Sequence, residues 1–161
     1  MRIGILSDTH DHMKNVARIV ELFNDAGVDR VVHTGDITKA KTLHTLAALH
    51  APLFGVFGNN DLERDSLEAA IDEHGFHFTE PPLELEWANR RLFVVHDPRE
   101  FDQTLLGPGE VLLHGHTHLR TVDRLNGGLR FNPGECAGHM PGKNAIGILD
   151  LATLEPEILF F

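Results

Sequence analysis

The sequence predicts an α/β fold in which two β-sheets pack together and helices cover the outside. In the first half, short apolar runs alternate with amphipathic stretches, which is the pattern of a parallel sheet with crossover helices. In the second half, strands with alternating apolar and polar residues are joined by hairpin turns. The 161 residues contain neither a linker-like stretch nor an internal repeat, so we expect a single domain over residues 1–161.

The first half is predicted to consist of three strand–helix units. Apolar runs predict strands over residues 2–7, 28–33 and 52–57. Apolar residues at helical spacing predict helices that end before Gly27, at His50 and before Gly75. Their inward faces are predicted to be formed by Met13, Val16, Ala17, Val20 and Phe23 in the first helix, Leu43, Leu46, Ala47 and His50 in the second, and Leu67, Ala70 and Ile71 in the third.

The second half is predicted to be mainly antiparallel. Leu83, Leu85 and Trp87 alternate with glutamates, which indicates a strand with one wet face that pairs with residues 91–96. The turn Asn126-Gly127-Gly128 is typical of a second hairpin. The other predicted elements are a short strand at 76–78, a short helix over 99–106, a strand at 111–113 and a final antiparallel pair at 145–151 and 157–161.

The composition narrows the classes of partner. A chain with a net charge of −10 lacks the basic face with which proteins coat nucleic acid, so we expect no binding to long nucleic acid. No apolar run is long enough to cross a bilayer, and Met1 leads directly into a predicted strand. We therefore expect a cytoplasmic protein with no signal peptide and no membrane partner. The oligomeric state stays open, and the sequence allows a homo-oligomer.

Cys136 is the only cysteine, which excludes an intramolecular disulfide and any site built from several thiolates. A bound metal would therefore take imidazole, carboxylate and amide ligands, a set that suits Mn, Fe, Ni or Zn. Cys136 itself is expected to be a small residue in the core or at the rim of a site.

Polar residues that bind metals well follow the predicted strands. Asp8 and His10 follow the first strand, Asp36 the second and Asn59 the third. Because ligands collect outside the carboxyl ends of parallel strands, we expect these side chains to lie close together. Taken singly, each position has an ordinary explanation, such as a helix cap for Asp8 or a turn for Asp36 and Asn59.

Three histidines in the second half extend this set. In an extended segment alternate side chains point the same way, so His116 and His118 can face one spot, where Gly115 leaves space. His96 also follows a predicted buried strand, although a lone histidine there is more often structural. A centre with two metal ions needs several such ligands and a carboxylate to bridge them. The candidates are Asp8, His10, Asp36, Asn59, His96, His116 and His118.

The order of these motifs resembles that of the calcineurin-like metallophosphoesterase superfamily. The similarity extends from residue 3 to about residue 150, and the stretches 7–12 and 132–136 resemble its compact prokaryotic phosphodiesterase branch. The motifs that carry the resemblance are Asp8-x-His10, Gly35-Asp36, Gly58-Asn59-Asn60-Asp61, His96 and Gly115-His116-x-His118.

The resemblance implies a four-layer α/β/β/α sandwich of two mixed sheets with flanking helices, and a metal-dependent phosphodiesterase. Two divalent ions are implied, with Mn favoured and Ni, Fe or Zn as alternatives. A hydroxide that bridges them would attack the phosphorus of a small phosphoester substrate in line. By the family pattern, one metal is held by Asp8, His10 and His118, the other by Asn59, His96 and His116, and Asp36 bridges the two.

Two positions depart from the family pattern. Many relatives carry a histidine where this chain has Asn60, as proton donor to the leaving group. An amide cannot act as a general acid, although it can hydrogen-bond a phosphoryl oxygen. Relatives often carry Gly-His where this chain has Asp97-Pro98. We therefore expect a preference for diesters or activated leaving groups, and the predicted catalytic residues are Asn60, Asp36 and His116.

The other histidines are expected to be structural, with His12 the best candidate among them for a substrate contact. Asp61 is expected to orient a ligand histidine, and residues 132–135 to shape a loop near the site. Two other functions stay open. One is a non-catalytic protein-binding scaffold on the same fold, as in the retromer subunit that resembles this superfamily; the other is a phosphomonoesterase or small-nucleotide hydrolase. The histidines expected to be structural are His12, His33, His44, His50, His74, His77, His114 and His139.

Overall fold

The computed structural model describes residues 1–161 and contains eleven strands and three α-helices. The strands are β1 (Arg2–Leu6), β2 (Arg30–His33), β3 (Leu53–Val56), β4 (His77–Thr79), β5 (Leu83–Trp87), β6 (Arg90–Val94), β7 (Val111–Leu113), β8 (Thr121–Leu125), β9 (Gly128–Asn132), β10 (Ala145–Asp150) and β11 (Glu155–Phe160). The helices are α1 (Met13–Ala26), α2 (Ala40–Leu46) and α3 (Arg64–His74), with two 3-10 helices at Pro98–Glu100 and Gln103–Leu105. None of the helices has both the length and the apolarity that crossing a bilayer requires.

The strands form two mixed sheets. The first has the order β11-β10-β1-β2-β3-β4, in which β1 to β4 run parallel and β10 and β11 are added antiparallel at one side. The second has the order β5-β6-β7-β9-β8, with a parallel centre of β6, β7 and β9 and an antiparallel strand at each edge. This confirms the predicted α/β class with two mixed sheets.

The sheets bury a shared core between them. Ile5 and Val32 of the first sheet pack into one apolar cluster with Leu92, Leu113 and Phe131 of the second, and all five are fully buried. Each of these strands presents apolar side chains at every second residue, so the facing surfaces exclude water along their length. The packed sheets hold the ends of their strands in fixed relative positions.

The three α-helices cover the other face of the first sheet. Along α1, the apolar face consists of Val16, Ile19, Val20 and Phe23, and the helix ends at Gly27 with φ of 61°. The predicted inward position of Ala17 is wrong: Ala17 is exposed, and Ile19 takes the inward place. The inward face of α3 is as predicted, with Leu67, Ala70 and Ile71 buried.

The second helix is shorter than predicted. It ends at Leu46, so Ala47 and His50 are exposed and do not face the core as expected. Asn24 of α1 explains this end, because its amide donates to the carbonyl of Ala48 at 3.0 Å and its oxygen accepts from the backbone N–H of His50 at 2.8 Å. If the helix continued, the carbonyl of Ala48 would accept a hydrogen bond from the backbone N–H of residue 52, but that residue is Pro52 and has no N–H.

The outer face of the second sheet is covered by the two 3-10 helices instead of an α-helix. Phe93 and Leu112 of the sheet form a small cluster with Leu106 and with Val95, which follows β6, and Phe101 packs against it. The helix predicted over residues 99–106 is therefore present as two separate turns. Asp97 and Asp102 cap these turns, and this division keeps Asp97 close to the end of β6.

Candidate metal centre

The seven predicted metal ligands meet at one edge of the molecule, where parallel strands of both sheets end. The loops that carry them follow β1, β2 and β3 of the first sheet and β6 and β7 of the second. Ligands collect at such edges because several loops converge there on a rigid support. The side chains brought together are Asp8, His10, Asp36, Asn59, His96, His116 and His118.

One group of donor atoms surrounds the Asp8 carboxylate. Its Oδ1 lies 3.9 Å from His10 Nε2 and 3.5 Å from His118 Nε2. His10 Nε2 also lies 3.2 Å from Oδ2 of Asp36. The donor atoms of Asp8, His10 and His118 all lie within 4.8 Å of one another, which is the spacing of ligands around one small cation.

A second group surrounds the Asn59 side-chain oxygen. It lies 2.9 Å from His96 Nε2 and 3.0 Å from His116 Nδ1, and these two ring nitrogens are 3.2 Å apart. His96 Nε2 also lies 3.4 Å from Oδ1 of Asp36. Asp36 therefore presents one carboxylate oxygen to each group, which is the arrangement that a bridging carboxylate requires.

The backbone of the site is held in an uncommon conformation. Asp8, His10, Asp36, His116 and His118 have φ of 51°, 40°, 58°, 65° and 56°, in the left-handed region that L-residues with a Cβ rarely adopt. Backbone hydrogen bonds hold these turns, among them the N–H of Asp8 to the carbonyl of Gly35 and the N–H of His10 to the carbonyl of Asp36, both at 3.1 Å. Such strain clusters at functional sites.

Two glycines let the loops close around the carboxylates. A Cβ on Gly115 would overlap the Ser7 hydroxyl and lie 2.8 Å from Asp8 Oδ2, and a Cβ on Gly58 would overlap the Asp36 carboxylate. Gly115 does leave space, and the buried hydrogen bond from Ser7 to Asp8 occupies it. The prediction that His116 and His118 face one spot from an extended segment is wrong, because both have a left-handed backbone and they join different donor groups.

Asp61 has a different role from the one predicted for it. Its carboxylate orients no histidine; it accepts the backbone N–H groups of Gly58, Asp36 and Thr38 at 2.6, 3.0 and 2.7 Å. The Asp36 and Asn59 loops are thus tied to one carboxylate. Burial raises the pKa of Asp61, and the backbone hydrogen bonds oppose that rise.

The two departures from the family pattern both contact the cluster. Asn60 donates its side-chain amide to Asp36 Oδ2 at 2.7 Å and its backbone N–H to Asp36 Oδ1 at 2.9 Å. Asp97 places Oδ2 3.5 Å from His116 Nε2, the ring nitrogen that faces away from Asn59. Asp97 is itself held by Arg99, whose guanidinium lowers the pKa of the carboxyl to about 2.

Sequence reasoning missed two residues beside His118. Glu135, expected only to shape a loop, is fully buried with Oε2 3.7 Å from His118 Nδ1. His139, expected to be structural, stacks on the His118 ring with centroids 5.3 Å apart. The cue to Glu135 was its place in the 132–136 stretch, and the cue to His139 was the expectation that residues near it form part of the rim of the site. His12, the expected substrate contact, accepts the N–H of Asn15 at 3.3 Å and so caps α1.

The charges of the site are unbalanced. Asp8 and Glu135 are fully buried and Asp36 is 2% exposed, yet no lysine or arginine forms an ion pair with any of them. Burial raises the pKa of Asp8. Burial also acts to raise that of Asp36, but contact with His10 and hydrogen bonds from Asn60 outweigh it and hold the pKa below its ordinary value.

A cation fits this donor set. The Nδ1 of His96 lies 2.9 Å from the carbonyl of Thr34, so it carries the proton and leaves Nε2 with a lone pair. That lone pair faces Asn59 Oδ1 and Asp36 Oδ1, so three acceptors point at one another with no proton between them. In the other group, Asp8 Oδ1 and His10 Nε2 are buried without a hydrogen-bond partner. Bound divalent ions would satisfy both groups.

Comparison with known proteins places these features in context. Residues 1–154 match the family model of the calcineurin-like phosphoesterase superfamily domain. Phosphodiesterase MJ0936 of Methanocaldococcus jannaschii is 34% identical and is aligned over 96% of this chain and 96% of its own length. Phosphodiesterase YfcE of Escherichia coli is 27% identical over 93% of this chain and 88% of its own length.

Solved structures agree with this. The structure of an archaeal phosphodiesterase has a TM-score of 0.87 and 32% identity, with 100% of both chains covered. Vacuolar protein sorting 29 from Entamoeba histolytica has a TM-score of 0.66 and 16% identity over 100% of this chain and 99% of its own. The second likeness shows a common fold alone.

Proposed function

This chain belongs to the calcineurin-like phosphoesterase superfamily, and we propose on that basis that it is a metal-dependent phosphodiesterase. The observation that carries the proposal is the convergence of two donor groups on Asp36, around buried carboxylates that no lysine or arginine neutralises. The similarity to phosphodiesterases over nearly the whole chain supports the choice of reaction.

We assign the site residues as the two donor groups suggest. The first ion would be held by Asp8, His10 and His118, and the second by Asn59, His96 and His116, with Asp36 shared. When bound, the ions would supply positive charge to the phosphoryl oxygens and lower the pKa of a water molecule. We propose Mn as the metal on the basis of the family resemblance, and this ligand set also accepts Fe, Ni or Zn.

Asn60 favours a substrate with an activated leaving group. Its amide holds Asp36 Oδ2 with one N–H, which leaves the other free to donate to a phosphoryl oxygen. It has no proton to give to a leaving group, so the leaving group must depart as a stable anion. Aryl and other activated esters meet that condition, and alkyl esters do not. The choice of a diester rests on the similarity to phosphodiesterases.

Small substrates suit the surroundings of the site. The net charge of −10 opposes the approach of a long polyanion, whereas a single phosphoester would meet a locally positive centre once the ions are bound. We accordingly propose a small phosphoester as substrate. We also propose that the protein acts in the cytoplasm.

The test is hydrolysis of an aryl phosphodiester by metal-stripped protein, with and without added Mn. Asp36→Asn removes the shared carboxylate charge, and Asp25→Asn, at an exposed position on α1, is the matched control. We expect turnover that Mn restores in the wild type and in the control but not in Asp36→Asn. Turnover and metal content unchanged by Asp36→Asn would overturn the proposal.

The same assay addresses the other functions. Two tightly bound metals per chain with no turnover of any phosphoester would favour a protein-binding scaffold, a role for which the fold is suitable. Faster turnover of aryl monoester or cyclic nucleotide than of aryl diester would favour a monoesterase or a small-nucleotide hydrolase. All seven positions of the family's ligand pattern carry a metal-binding residue in this chain. This speaks against a pure scaffold, because a scaffold needs no ligands for catalytic metals.

A further inference from the structure

A large cavity lies directly beside the candidate metal centre. Its volume is about 640 Å³, and it is lined by His118 together with residues of the 119–120, 133–134 and 140–143 stretches and Phe160. That volume is in the range that holds a small organic ligand. Because His118 belongs to both, a molecule in the cavity would be continuous with a phosphoryl group at the centre.

Two cations on the cavity wall have no carboxylate partner in the protein. Most lysines and arginines of this chain pair with a carboxylate, but Arg120 and Lys143 form neither an ion pair nor a side-chain hydrogen bond. The protein has a net charge of −10, so carboxylates are plentiful elsewhere on its surface. Two unpaired cations that line one cavity are therefore available for an external anion.

The rest of the wall suits a flat, apolar group. Leu119 and Phe160 are 61% and 57% exposed, which is high for large apolar side chains. The Arg120 guanidinium lies over the Phe160 ring, 5.3 Å from its centroid, and this holds the guanidinium against the cavity wall. A ring in the cavity would cover Leu119 and Phe160 and leave Arg120 and Lys143 to contact a charged group.

We propose that this cavity binds one arm of the diester substrate, and that this arm carries a ring and a second phosphate. The inference rests on the proposed phosphodiesterase activity and specifies its substrate class. The scissile phosphate would lie at the metal centre, the ring against Leu119 and Phe160, and the second phosphate on Arg120 and Lys143. Arginine binds phosphate through two parallel N–H groups, and lysine binds it as a point charge.

A matched pair of substrates tests this. Thymidine 5′-(p-nitrophenyl phosphate) and its 3′-phosphorylated form share the scissile bond and the ring, and they differ only in the second phosphate. With Mn-loaded protein we expect the 3′-phosphorylated form to have a KM about tenfold lower at a similar kcat, since charge-assisted contacts of this kind give about that factor. Equal KM values in the wild type would overturn the proposal.

Variants assign the effect to the cavity. Arg120→Gln and Lys143→Gln are each expected to remove most of the KM difference between the two substrates. Arg18→Gln removes the same charge from an exposed ion pair on α1 and is expected to preserve the difference. Full retention of the difference in both cavity variants would place the second phosphate elsewhere and refute the proposal.

Binding separates failure of this inference from failure of the proposed function. Calorimetry with thymidine 3′,5′-bisphosphate and Mn-loaded protein needs no turnover of a diester. If neither substrate is hydrolysed but the bisphosphate binds the wild type at least about tenfold more tightly than either cavity variant, the subsite stands and the phosphodiesterase proposal falls. Equal binding by the wild type and both variants overturns the subsite.

Discussion

Gly115→Ala tests how closely the loops must approach at the metal centre. The new Cβ would overlap the Ser7 hydroxyl and lie 2.8 Å from Asp8 Oδ2 and 2.9 Å from Thr34 Oγ1. Ser7, Asp8 and Thr34 are all fully buried, and Gly115 donates its N–H to the carbonyl of His96 at 3.0 Å. The methyl group therefore has to separate the Asp8 loop from the loop that carries His116.

The structure sets the size of the effect. Forcing a methyl group into a packed interior costs about 1–3 kcal/mol. Displacement of Ser7 from the Asp8 carboxylate removes a hydrogen bond to a charged group, which contributes about 1.5–3 kcal/mol. We expect the free energy of unfolding of metal-free protein to fall by roughly 2.5–6 kcal/mol, the sum of the two costs. Mn affinity should also fall, because the backbone N–H of His116 no longer reaches Asp8 Oδ2.

Urea unfolding followed by Trp87 fluorescence measures the first quantity, and calorimetry with Mn measures the second. Gly107→Ala is the matched control, since the nearest atom to its Cβ would be Oε2 of the Glu110 side chain at 3.3 Å, which has only to give way slightly. The double variant Ser7→Gly with Gly115→Ala should recover part of the loss, because it removes the overlapping hydroxyl. If Gly115→Ala were as stable as Gly107→Ala, and bound Mn as the wild type does, the two loops would not be in the contact described.

Three further predictions concern single side chains. Asp97→Asn should weaken Mn binding by about 10- to 100-fold in calorimetry, because an amide cannot hold His116 Nε2 by charge. The control Asp102→Asn should bind Mn as the wild type does, and equal Mn affinities of Asp97→Asn and the wild type would show that Asp97 does not support the site. Burial lowers the pKa of His33 from 6.5 to about 3, so below pH 6.5 the unfolded chain binds a proton that the folded protein does not bind. The stability of the metal-free protein should therefore fall as the pH drops from 6.5 to about 3, by at most about 5 kcal/mol from this residue. In His33→Gln the urea midpoint should fall less steeply with pH over that range. The same pH dependence in the variant and the wild type would contradict a lowered pKa of His33. Burial raises the pKa of Cys136 to about 12, so a thiol reagent should label native protein only as fast as it unfolds, with labelling that accelerates in urea; immediate labelling would mean that the side chain is accessible.

Much of the site was predictable because it depends on strand ends. A run of apolar residues marks a buried strand, and in a parallel sheet the next few residues must lie at the ligand-binding edge. Asp8, Asp36 and Asn59 could therefore be placed from local sequence alone. His96 and His116 belong to the second sheet, and it was the order of the motifs that joined them to the first three.

The details that depend on distant contacts were not predictable. The end of α2 is determined by Asn24, which lies on another helix, and the role of Asp61 follows from backbone N–H groups of two loops. Glu135 and His139 reach His118 from a loop with no periodic pattern. In each case the local sequence is equally compatible with an ordinary turn, and tertiary contacts decide between the alternatives.

The left-handed backbone of the ligands explains why chemistry and stability conflict at this site. Glycine adopts that conformation freely, whereas each Asp or His there costs on the order of 1 kcal/mol, so the five strained ligands together cost on the order of 5 kcal/mol. Folded domains are stable by only about 5–15 kcal/mol, so this cost is a large share. Glycine has no side chain to offer a metal, and the residues that bind it must accept the strain. The packed sheets and the Asp61 hydrogen bonds offset that cost and hold the loops in the conformation that the ligands need.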